Sequence, residues 1–269
     1  MMSAARRSKS YYEPARWYDL RDFSQLGDVP FFLEMASKCG PDVLECASGT
    51  GRIAIPLAQA GYHVVGLDRD EAMLRRCREK WRAAQAQARG TLRIVKADMT
   101  DFRLRRRFDL AFVAFNTFLT LARLEDREKM IRCVRRHLKP QGRLIIDVFQ
   151  PSLPALASDQ PERLDFEIED PQTGCMVRRY SRARRDMSTQ QLEMTFEYRW
   201  IDPEGQRHSE ATTFPMCVIF PIEMRMLLEY NGFEVERVLG SHDGSPFEKN
   251  SPLMIVIARR SNRSVRRSA

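Results

Sequence analysis

The sequence contains no run of about 18 consecutive apolar residues, which is the length a helix needs to cross a bilayer. Its N-terminus also lacks an apolar stretch of signal-peptide length. These two absences argue against a membrane partner and against secretion, and we expect a cytoplasmic protein.

Histidine is scarce, with four residues in a chain of 269, and none lies at metal-ligand spacing from a cysteine. The six cysteines are scattered and include no C-x-x-C pair. The sequence therefore predicts reduced thiols and no zinc or other metal site.

Internal repeats are absent, and low complexity is confined to the arginine-rich ends. Charged residues make up 30% of the chain and hydrophobic residues 43%, which is typical of a folded protein. Much of the net charge of +8 lies at Arg6, Arg7, Arg259, Arg260 and beyond, and we interpret these ends as solvated tails. A basic tail by itself is a weak indication of nucleic-acid binding, so we do not expect nucleic acid as a partner.

From residue 42 to about residue 149, short β-branched or apolar runs alternate with longer helical stretches. This alternation predicts βαβ units and a parallel sheet. The predicted strands are 43–46, 64–67, 92–95, 110–114 and 144–148, and the predicted helices are 52–60, 71–88 and 125–138.

After Asp147 the pattern changes, because Pro151, Pro154 and Pro161 interrupt any regular element. Apolar residues then occupy every second position of 192–200, as in a strand with one buried face. Together with 176–184 and 212–220, this segment predicts a small inserted antiparallel sheet. The chain returns to the α/β pattern with a helix at 221–230 and strands at 233–239 and 253–258.

The first predicted strand runs through Glu45 into Ala47-Ser48-Gly49-Thr50-Gly51, immediately before a helix. Glycines at such a turn let the backbone approach a ligand at the carboxyl edge of the sheet. The second strand ends at Asp68, 23 residues after Glu45, where a carboxylate can accept hydrogen bonds from both hydroxyls of a ribose. These residues predict a site for a nucleoside-type cofactor.

The same glycines also fit the G-x-G-x-x-A dinucleotide fingerprint, which leaves an NAD(P)-dependent oxidoreductase open, although no obvious set of hydride-transfer residues is present. Asp98 and Met99 follow the third strand, where the carboxylate can accept from an adenine amino group while the methionine packs on the ring. Phe115 and Asn116 follow the fourth strand, beside the place where a transferable group would project.

In order and spacing, the segments 43–52, 65–68, 97–99, 108–110 and 138–144 resemble the class I S-adenosylmethionine-dependent methyltransferases. Residues 231–235 and 253–258 are similar to the last two strands of that family, which form an antiparallel pair. The resemblance covers most of the chain. It implies an α/β, Rossmann-like, seven-stranded and mostly parallel sheet with helices on both faces, a small antiparallel β insertion after the fifth strand, and S-adenosylmethionine as cofactor.

By this resemblance Glu45 and the backbone from Ala47 to Gly51 would face the methionine moiety, Asp68 the ribose, and Asp98 and Met99 the adenine. An N-terminal tyrosine at Tyr18 would close over the cofactor. The complete predicted cofactor site is Tyr18, Glu45, Ala47, Gly49, Gly51, Asp68, Arg69, Asp98, Met99 and Phe115. The family usually has glycine at the positions of Ala47 and Gln141, and an alanine costs little if its φ is negative, so we expect weaker or slightly shifted binding at most.

The implied reaction is methyl transfer to a nitrogen or oxygen of a small-molecule acceptor by in-line displacement, which requires alignment more than acid-base groups. Catalytic residues are not assigned, and Asn116 and His242 are candidates on the acceptor side. We expect residues 1–41 to close over the cofactor, 42–150 and 221–260 to form the core, 151–220 to act as a lid over the acceptor, and 261–269 to be a basic tail. A nucleic-acid methyltransferase and a cofactor-binding protein without turnover stay open as alternatives.

Overall fold

The computed structural model describes residues 14–21, 26–150 and 156–261, together with the backbone of Arg6 and Arg7. The chain forms two compact units. Residues 24–150 and 219–269 make up the first, called the core unit here, and residues 1–23 and 151–218 make up the second, called the insertion unit.

The insertion unit contains the N-terminal elements β1 (Arg6–Arg7) and α1 (Ala15–Tyr18) and four long strands. These strands are β7 (Gln160–Glu169), β8 (Met176–Asp186), β9 (Gln191–Ile201) and β10 (Arg207–Cys217). They form an antiparallel sheet in the order β1-β10-β9-β8-β7, with β1 parallel to β10.

The core unit contains the remaining elements, which alternate between helices and strands. They are α2 (Asp28–Cys39), β2 (Asp42–Cys46), α3 (Ala54–Gln59), β3 (His63–Asp68), α4 (Glu71–Ala84), β4 (Thr91–Lys96), β5 (Phe108–Val113), α5 (Leu124–His137), β6 (Leu138–Phe149), α6 (Pro221–Tyr230), β11 (Phe233–Leu239) and β12 (Leu253–Arg260).

The strands of the core unit form one seven-stranded sheet in the order β11-β12-β6-β5-β2-β3-β4. Neighbours from β6 to β4 are parallel, whereas β12 is antiparallel to both β6 and β11. The predicted fold class, a mostly parallel seven-stranded sheet with an antiparallel insertion after its fifth strand, is confirmed.

Central strands of this sheet are buried on both faces, which explains why their sequences are continuous apolar runs. Leu110, Phe112 and Val113 of β5 have no exposed surface. The ring of Phe32 in α2 stacks on Phe112 with centroids 4.2 Å apart. Burial of each such side chain stabilises the core by about 1.5–3 kcal/mol.

The register of the central strands brings three strand ends to one edge of the sheet. Cys46, the last residue of β2, pairs with Leu67 of β3 on one side and with Val113 of β5 on the other. The residues that follow, including Ala47, Asp68 and Ala114, therefore lie at the same carboxyl edge. Asp70 starts α4 there, because its side chain accepts from the backbone N–H groups of Ala72 and Met73.

Strand β7 differs from the sequence-based prediction, which treats Pro161 as a break in regular structure. The strand includes Pro161 as its second residue and lies at the edge of its sheet. A proline is compatible with that position because an edge strand does not need every N–H for pairing.

The prediction of solvated tails is wrong at both ends for the residues nearest the fold. Arg6 and Arg7 pair with Glu210 and Ala211 of β10. Arg259 lies in β12, where its guanidinium contacts Glu234 at 2.8 Å, and Arg260 is the last residue of the same strand.

A short helix is fixed to the insertion sheet by one tryptophan. The ring of Trp17 in α1 stacks on Tyr198 at 4.9 Å and meets Trp200 edge-on at 5.0 Å. Its Nε1 donates to Asp170 Oδ2 at 3.3 Å, and Arg16 forms a 2.7 Å ion pair with Glu210. A four-residue helix is unstable alone, so these contacts hold it in place.

Within the described residues, no helix is both long and apolar enough to span a membrane. The same part of the chain contains no group of three or more potential metal ligands.

Candidate active site

The turn after β2 uses left-handed backbone at three alternate positions. The φ angles are 57° at Ala47, 54° at Gly49 and 80° at Gly51. A Cβ at Gly51 would lie 2.6 Å from Cys77 Sγ, so packing also requires glycine there. A Cβ at Gly49 would meet no atom within 4 Å, which means that the turn has an open face at this residue.

The condition under which an alanine at position 47 costs little, a negative φ, is not met. Ala47 and Gln141, the two positions where the family usually has glycine, have φ angles of 57° and 65°. A side chain in this region costs about 1–2 kcal/mol because Cβ crowds the backbone. The strand-to-helix turn therefore carries strain that glycine would not.

Glu45, the residue before the end of β2, is an almost fully buried acid. Its side chain is 4% exposed, and its Oε2 has no hydrogen-bond partner among the described residues. Burial raises the pKa of Glu45 well above its usual range, and the nearby Arg52 only partly opposes this. The buried Oγ of Ser48 also has no partner in this part of the chain. Unsatisfied buried polar atoms in a turn with an open face are suited to a polar ligand.

Asp68 at the end of β3 organises the same turn. Its Oδ2 accepts from Gly49 N and its Oδ1 from Asp70 N, both at 2.8 Å. Burial raises the pKa of Asp68, although these backbone donors oppose the shift. A carboxylate has about four lone-pair sites, so each oxygen can accept a further hydrogen bond from a ligand.

Asp98 and Arg69 lie next to each other at the ends of β4 and β3. The Asp98 carboxylate accepts from Thr100 N at 2.8 Å and from Thr100 Oγ1 at 2.7 Å, which closes a tight turn. Arg69 Nη1 is 3.9 Å from Asp98 Oδ2, and both side chains are more than two-fifths exposed. Met99, also predicted in the site, is half-buried beside them.

Phe115 and Asn116, just after β5, are consecutive residues with positive φ, at 56° and 65°. Asp147 of β6 supports both, since its Oδ2 accepts from Phe115 N at 3.2 Å and its backbone oxygen accepts from Asn116 N at 3.1 Å. Asn116 Oδ1 in turn accepts from Phe149 N at 2.6 Å. Strained non-glycine residues of this kind cost about 1–3 kcal/mol each and persist only where surrounding contacts fix them.

His242 lies in the loop between β11 and β12 and contacts two acceptors. Its Nδ1 is 2.8 Å from the backbone oxygen of Leu26, and its Nε2 is 3.2 Å from Asp147 Oδ2. The side chain is only 9% exposed. Burial alone would lower the pKa of His242, but the hydrogen bonds to Asp147 and Leu26 and the charges of Asp147 and Asp28 together raise it.

A second buried ion pair connects the start of α2 with the glycine turn. Arg52 Nη1 lies 2.6 Å from Asp28 Oδ2, and the Arg52 guanidinium carbon is 5.3 Å from the centroid of the Phe115 ring. Sequence reasoning did not select Asp28 or Asp147. The available signal for Asp147 was an acid inside the apolar run Ile145-Ile146-Asp147-Val148.

The structure thus brings together, at the carboxyl edge of the core sheet, the predicted residues Glu45, Ala47, Gly49, Gly51, Asp68, Arg69, Asp98, Met99, Phe115 and Asn116. Tyr18 belongs to α1 of the insertion unit, and its approach to the cofactor stays a prediction. His137 is structural, because its Nε2 accepts from Leu104 N at 3.0 Å and its Nδ1 donates to Cys133 O at 2.8 Å.

Comparison with known proteins gives matches to methyltransferases. Residues 43–142 match a family model described as a methyltransferase domain. A cypemycin N-terminal methyltransferase from Streptomyces sp is 26% identical over 221 residues, which are 82% of this chain and 84% of that protein.

Solved structures share the fold over nearly the whole chain. The sugar N-methyltransferase KedS8 from Streptoalloteichus sp superposes with a TM-score of 0.76 at 20% identity, covering 97% of this chain and 98% of that one. S-adenosylmethionine-bound CalS10, an amino pentose methyltransferase from Micromonospora echinaspora, gives a TM-score of 0.69 at 20% identity, covering 95% and 100%.

Proposed function

We propose that this chain is a class I S-adenosylmethionine-dependent methyltransferase and that it methylates an amine nitrogen of a small-molecule or peptide acceptor. The observation that carries the proposal is the buried Glu45 carboxylate with an unsatisfied oxygen beside a glycine turn that is open at Gly49. The choice of nitrogen rests on two of the similar proteins, the cypemycin N-terminal methyltransferase and the sugar N-methyltransferase KedS8.

The charges of the residues at the glycine turn and the open space beside Gly49 suit S-adenosylmethionine. Glu45 Oε2 would accept from the ammonium of the methionine moiety and so gain the hydrogen bond that this oxygen lacks. Asp68 would accept from the ribose hydroxyls, with Arg69 beside it. Asp98 and Met99 would hold the adenine, and Ala47, Gly49 and Gly51 would present backbone to the methionine. When bound, the cofactor supplies a methyl carbon made electrophilic by its positive sulfur.

An amine acceptor also suits the hydrogen bonding of His242, which contacts Asp147 beside the Phe115–Asn116 turn. Both ring nitrogens of His242 face protein acceptors, so His242 has no lone pair available for a substrate proton. A neutral amine attacks with its own lone pair and loses its proton to solvent afterwards, whereas a hydroxyl needs a base. In this proposal the protein aligns the nitrogen with the methyl carbon and excludes water.

The insertion unit is proposed to cover the acceptor. The chain leaves the core sheet after Phe149, whose N–H donates to Asn116 at the predicted acceptor side, and it re-enters at α6. This connection supports a lid that begins at the reacting edge.

The direct test is incubation of the protein with methyl-labelled S-adenosylmethionine and a panel of amines. Amino sugars, peptides with free N-termini, glycine and sarcosine should be compared with matched hydroxyl analogues. We expect a labelled N-methyl product from at least one amine and none from its hydroxyl analogue. Label on oxygen alone would contradict the nitrogen assignment, and tight cofactor binding without transfer to any acceptor would indicate a protein without turnover.

Asp68→Ala tests the cofactor site itself. Loss of hydrogen bonds to a charged group should weaken S-adenosylmethionine binding by at least about 1.5 kcal/mol, measured by calorimetry. Asp68→Asn is the matched control, because it retains one acceptor oxygen and should lose less. Unchanged affinity in Asp68→Ala would remove Asp68 from the site.

A further inference from the structure

His242 is held by two groups that can only accept hydrogen bonds. The backbone oxygen of Leu26 has no proton to give, so Nδ1, at 2.8 Å, must carry one. The Asp147 carboxylate likewise requires a proton on Nε2, at 3.2 Å. Both contacts are satisfied together only when the ring is a doubly protonated imidazolium.

This ring connects three separate parts of the core unit. Leu26 precedes α2, Asp147 lies near the end of β6, and His242 belongs to the 240–252 loop. The ring also packs against Phe31 of α2, with centroids 5.6 Å apart. The loop closes on itself through Gly240 N and Ser245 O at 2.9 Å, so the position of His242 is fixed from its own side as well.

The hydrogen bonds of His242 are linked to the strained Phe115–Asn116 turn through one oxygen of Asp147. Asp147 Oδ2 accepts both from His242 Nε2 and from Phe115 N, each at 3.2 Å. A shift of this carboxylate would therefore remove the side-chain hydrogen bond of Phe115, the first of the two left-handed residues.

The charged groups around the ring favour its cationic form. Asp147 of β6 is in direct contact, and Asp28 of α2 acts at longer range while paired with Arg52. Asp243, the next residue in the loop, accepts from Ser245 N at 2.9 Å.

We propose that His242, as an imidazolium, is a positioning residue that locks the Asp147 carboxylate onto the Phe115 amide and so fixes the turn beside the methyl acceptor. Only the reference to the acceptor rests on the proposed function. Loss of a ring proton places a lone pair against one of the two acceptor oxygens. The hydrogen bond to that oxygen is then lost, and Asp147 is no longer held against the Phe115 amide. The turn is therefore ordered below the pKa of His242 and loosened above it.

Nuclear magnetic resonance on histidine- and backbone-labelled protein tests the lock without any substrate. With four histidines in the chain, His242 is assigned by comparison with His242→Gln. We expect both ring nitrogens of His242 to be protonated at pH 6 and its pKa to lie above the ordinary histidine value. In Asp147→Asn the pKa of His242 should fall.

Amide hydrogen exchange at Phe115 provides the second readout. In the unmodified protein, exchange should accelerate beyond the intrinsic pH dependence as the pH passes the pKa of His242. In His242→Gln, exchange at pH 6 should be at least about tenfold faster, which corresponds to loss of a hydrogen bond to a charged group, and the extra pH step should vanish. His63→Gln is the matched control, because His63 is exposed and its Nδ1 lies 3.3 Å from Thr91 Oγ1, away from Asp147 and Phe115.

A neutral His242 ring at pH 6, or an unchanged Phe115 exchange profile in His242→Gln, would overturn the proposal. If His242→Gln does not fold, the pKa of His242 in the unmodified protein and in Asp147→Asn still tests the proposal. An equal pKa in the two proteins would overturn it. Calorimetry of the unmodified protein with S-adenosylmethionine separates the two proposals, since absence of binding would end the proposed function and leave the lock intact.

Discussion

The glycine turn contains a matched pair of residues with nearly the same backbone angle and different surroundings. Ala47 has a φ of 57° and carries a side chain, whereas Gly49 has a φ of 54° and open space where a Cβ would be. Two substitutions therefore test the two features separately. Ala47→Gly tests the backbone strain at Ala47, and Gly49→Ala tests whether a ligand occupies the open space beside Gly49.

Ala47→Gly should raise the free energy of unfolding by up to about 1 kcal/mol, because relief of left-handed strain exceeds the entropy that glycine adds to the unfolded chain. Gly49→Ala should leave the protein folded, although a second left-handed side chain costs about 1–2 kcal/mol, and should weaken S-adenosylmethionine binding at least about tenfold because its methyl group enters the open face. Thermal unfolding and calorimetry measure both effects. Equal cofactor affinity in Gly49→Ala would show that the ligand does not approach there.

Glu45 should couple cofactor binding to proton release. Its raised pKa means that the buried acid holds a proton to a higher pH than usual, and an ammonium beside it favours the carboxylate. Binding should tighten as the pH rises through the pKa of Glu45. Calorimetry in buffers of different ionisation enthalpy should show proton uptake by the buffer, and Glu45→Gln should abolish it.

The effect of Glu45 on the free energy of unfolding changes with pH in the opposite direction to that of an ordinary ion-paired acid. Because the folded pKa of Glu45 lies above the unfolded value, its contribution is fully present below the unfolded pKa and is lost as the pH rises through the folded pKa. Proton-independent binding in the unmodified protein would contradict the role assigned to Glu45.

At the level of elements, the sequence predicts best those strands and helices whose pattern is set by burial. The apolar runs of β2, β3 and β5 and the Pro221 start of α6 are all observed close to their predicted bounds. Strand β7 was missed because edge strands tolerate proline, and the pairing of β1 with β10 was missed because a partner about 200 residues away leaves no local pattern.

The same reasoning explains what could be predicted of the candidate site. Glu45, Asp68 and Asp98 follow from strand ends, which are visible in sequence. The positive φ of Ala47 and the contacts of Asp147 with Phe115 and His242 depend on tertiary packing, which periodicity does not report.

Helix α1 depends on Trp17, so Trp17→Ala should lower the free energy of unfolding by about 3 kcal/mol or more. The tryptophan is 2% exposed and contacts Tyr198, Trp200 and Asp170. Denaturant unfolding measures the change, and Arg16→Ala, which removes an exposed ion pair, should cost less than about 1 kcal/mol. A loss below 1 kcal/mol in Trp17→Ala would show that α1 is not held by this ring.

For the whole molecule, the excess of arginine bears on the type of acceptor. Removal of residues 262–269 deletes three arginines and no predicted site residue. Methyl transfer to an amine metabolite or peptide should be unchanged, because such acceptors need no basic tail. A large loss of activity that is mimicked by high salt would instead favour a nucleic-acid acceptor.

Strand β12 lies between β6 and β11 in the core sheet, yet it is the last of the described strands along the chain. During synthesis on the ribosome, β6 therefore emerges long before β12. The edge of β6 that pairs with β12 stays unpaired while the entire insertion is synthesised. A growing chain in this interval exposes unpaired N–H and C=O groups, which is the period in which chaperone binding or mispairing would compete with native folding.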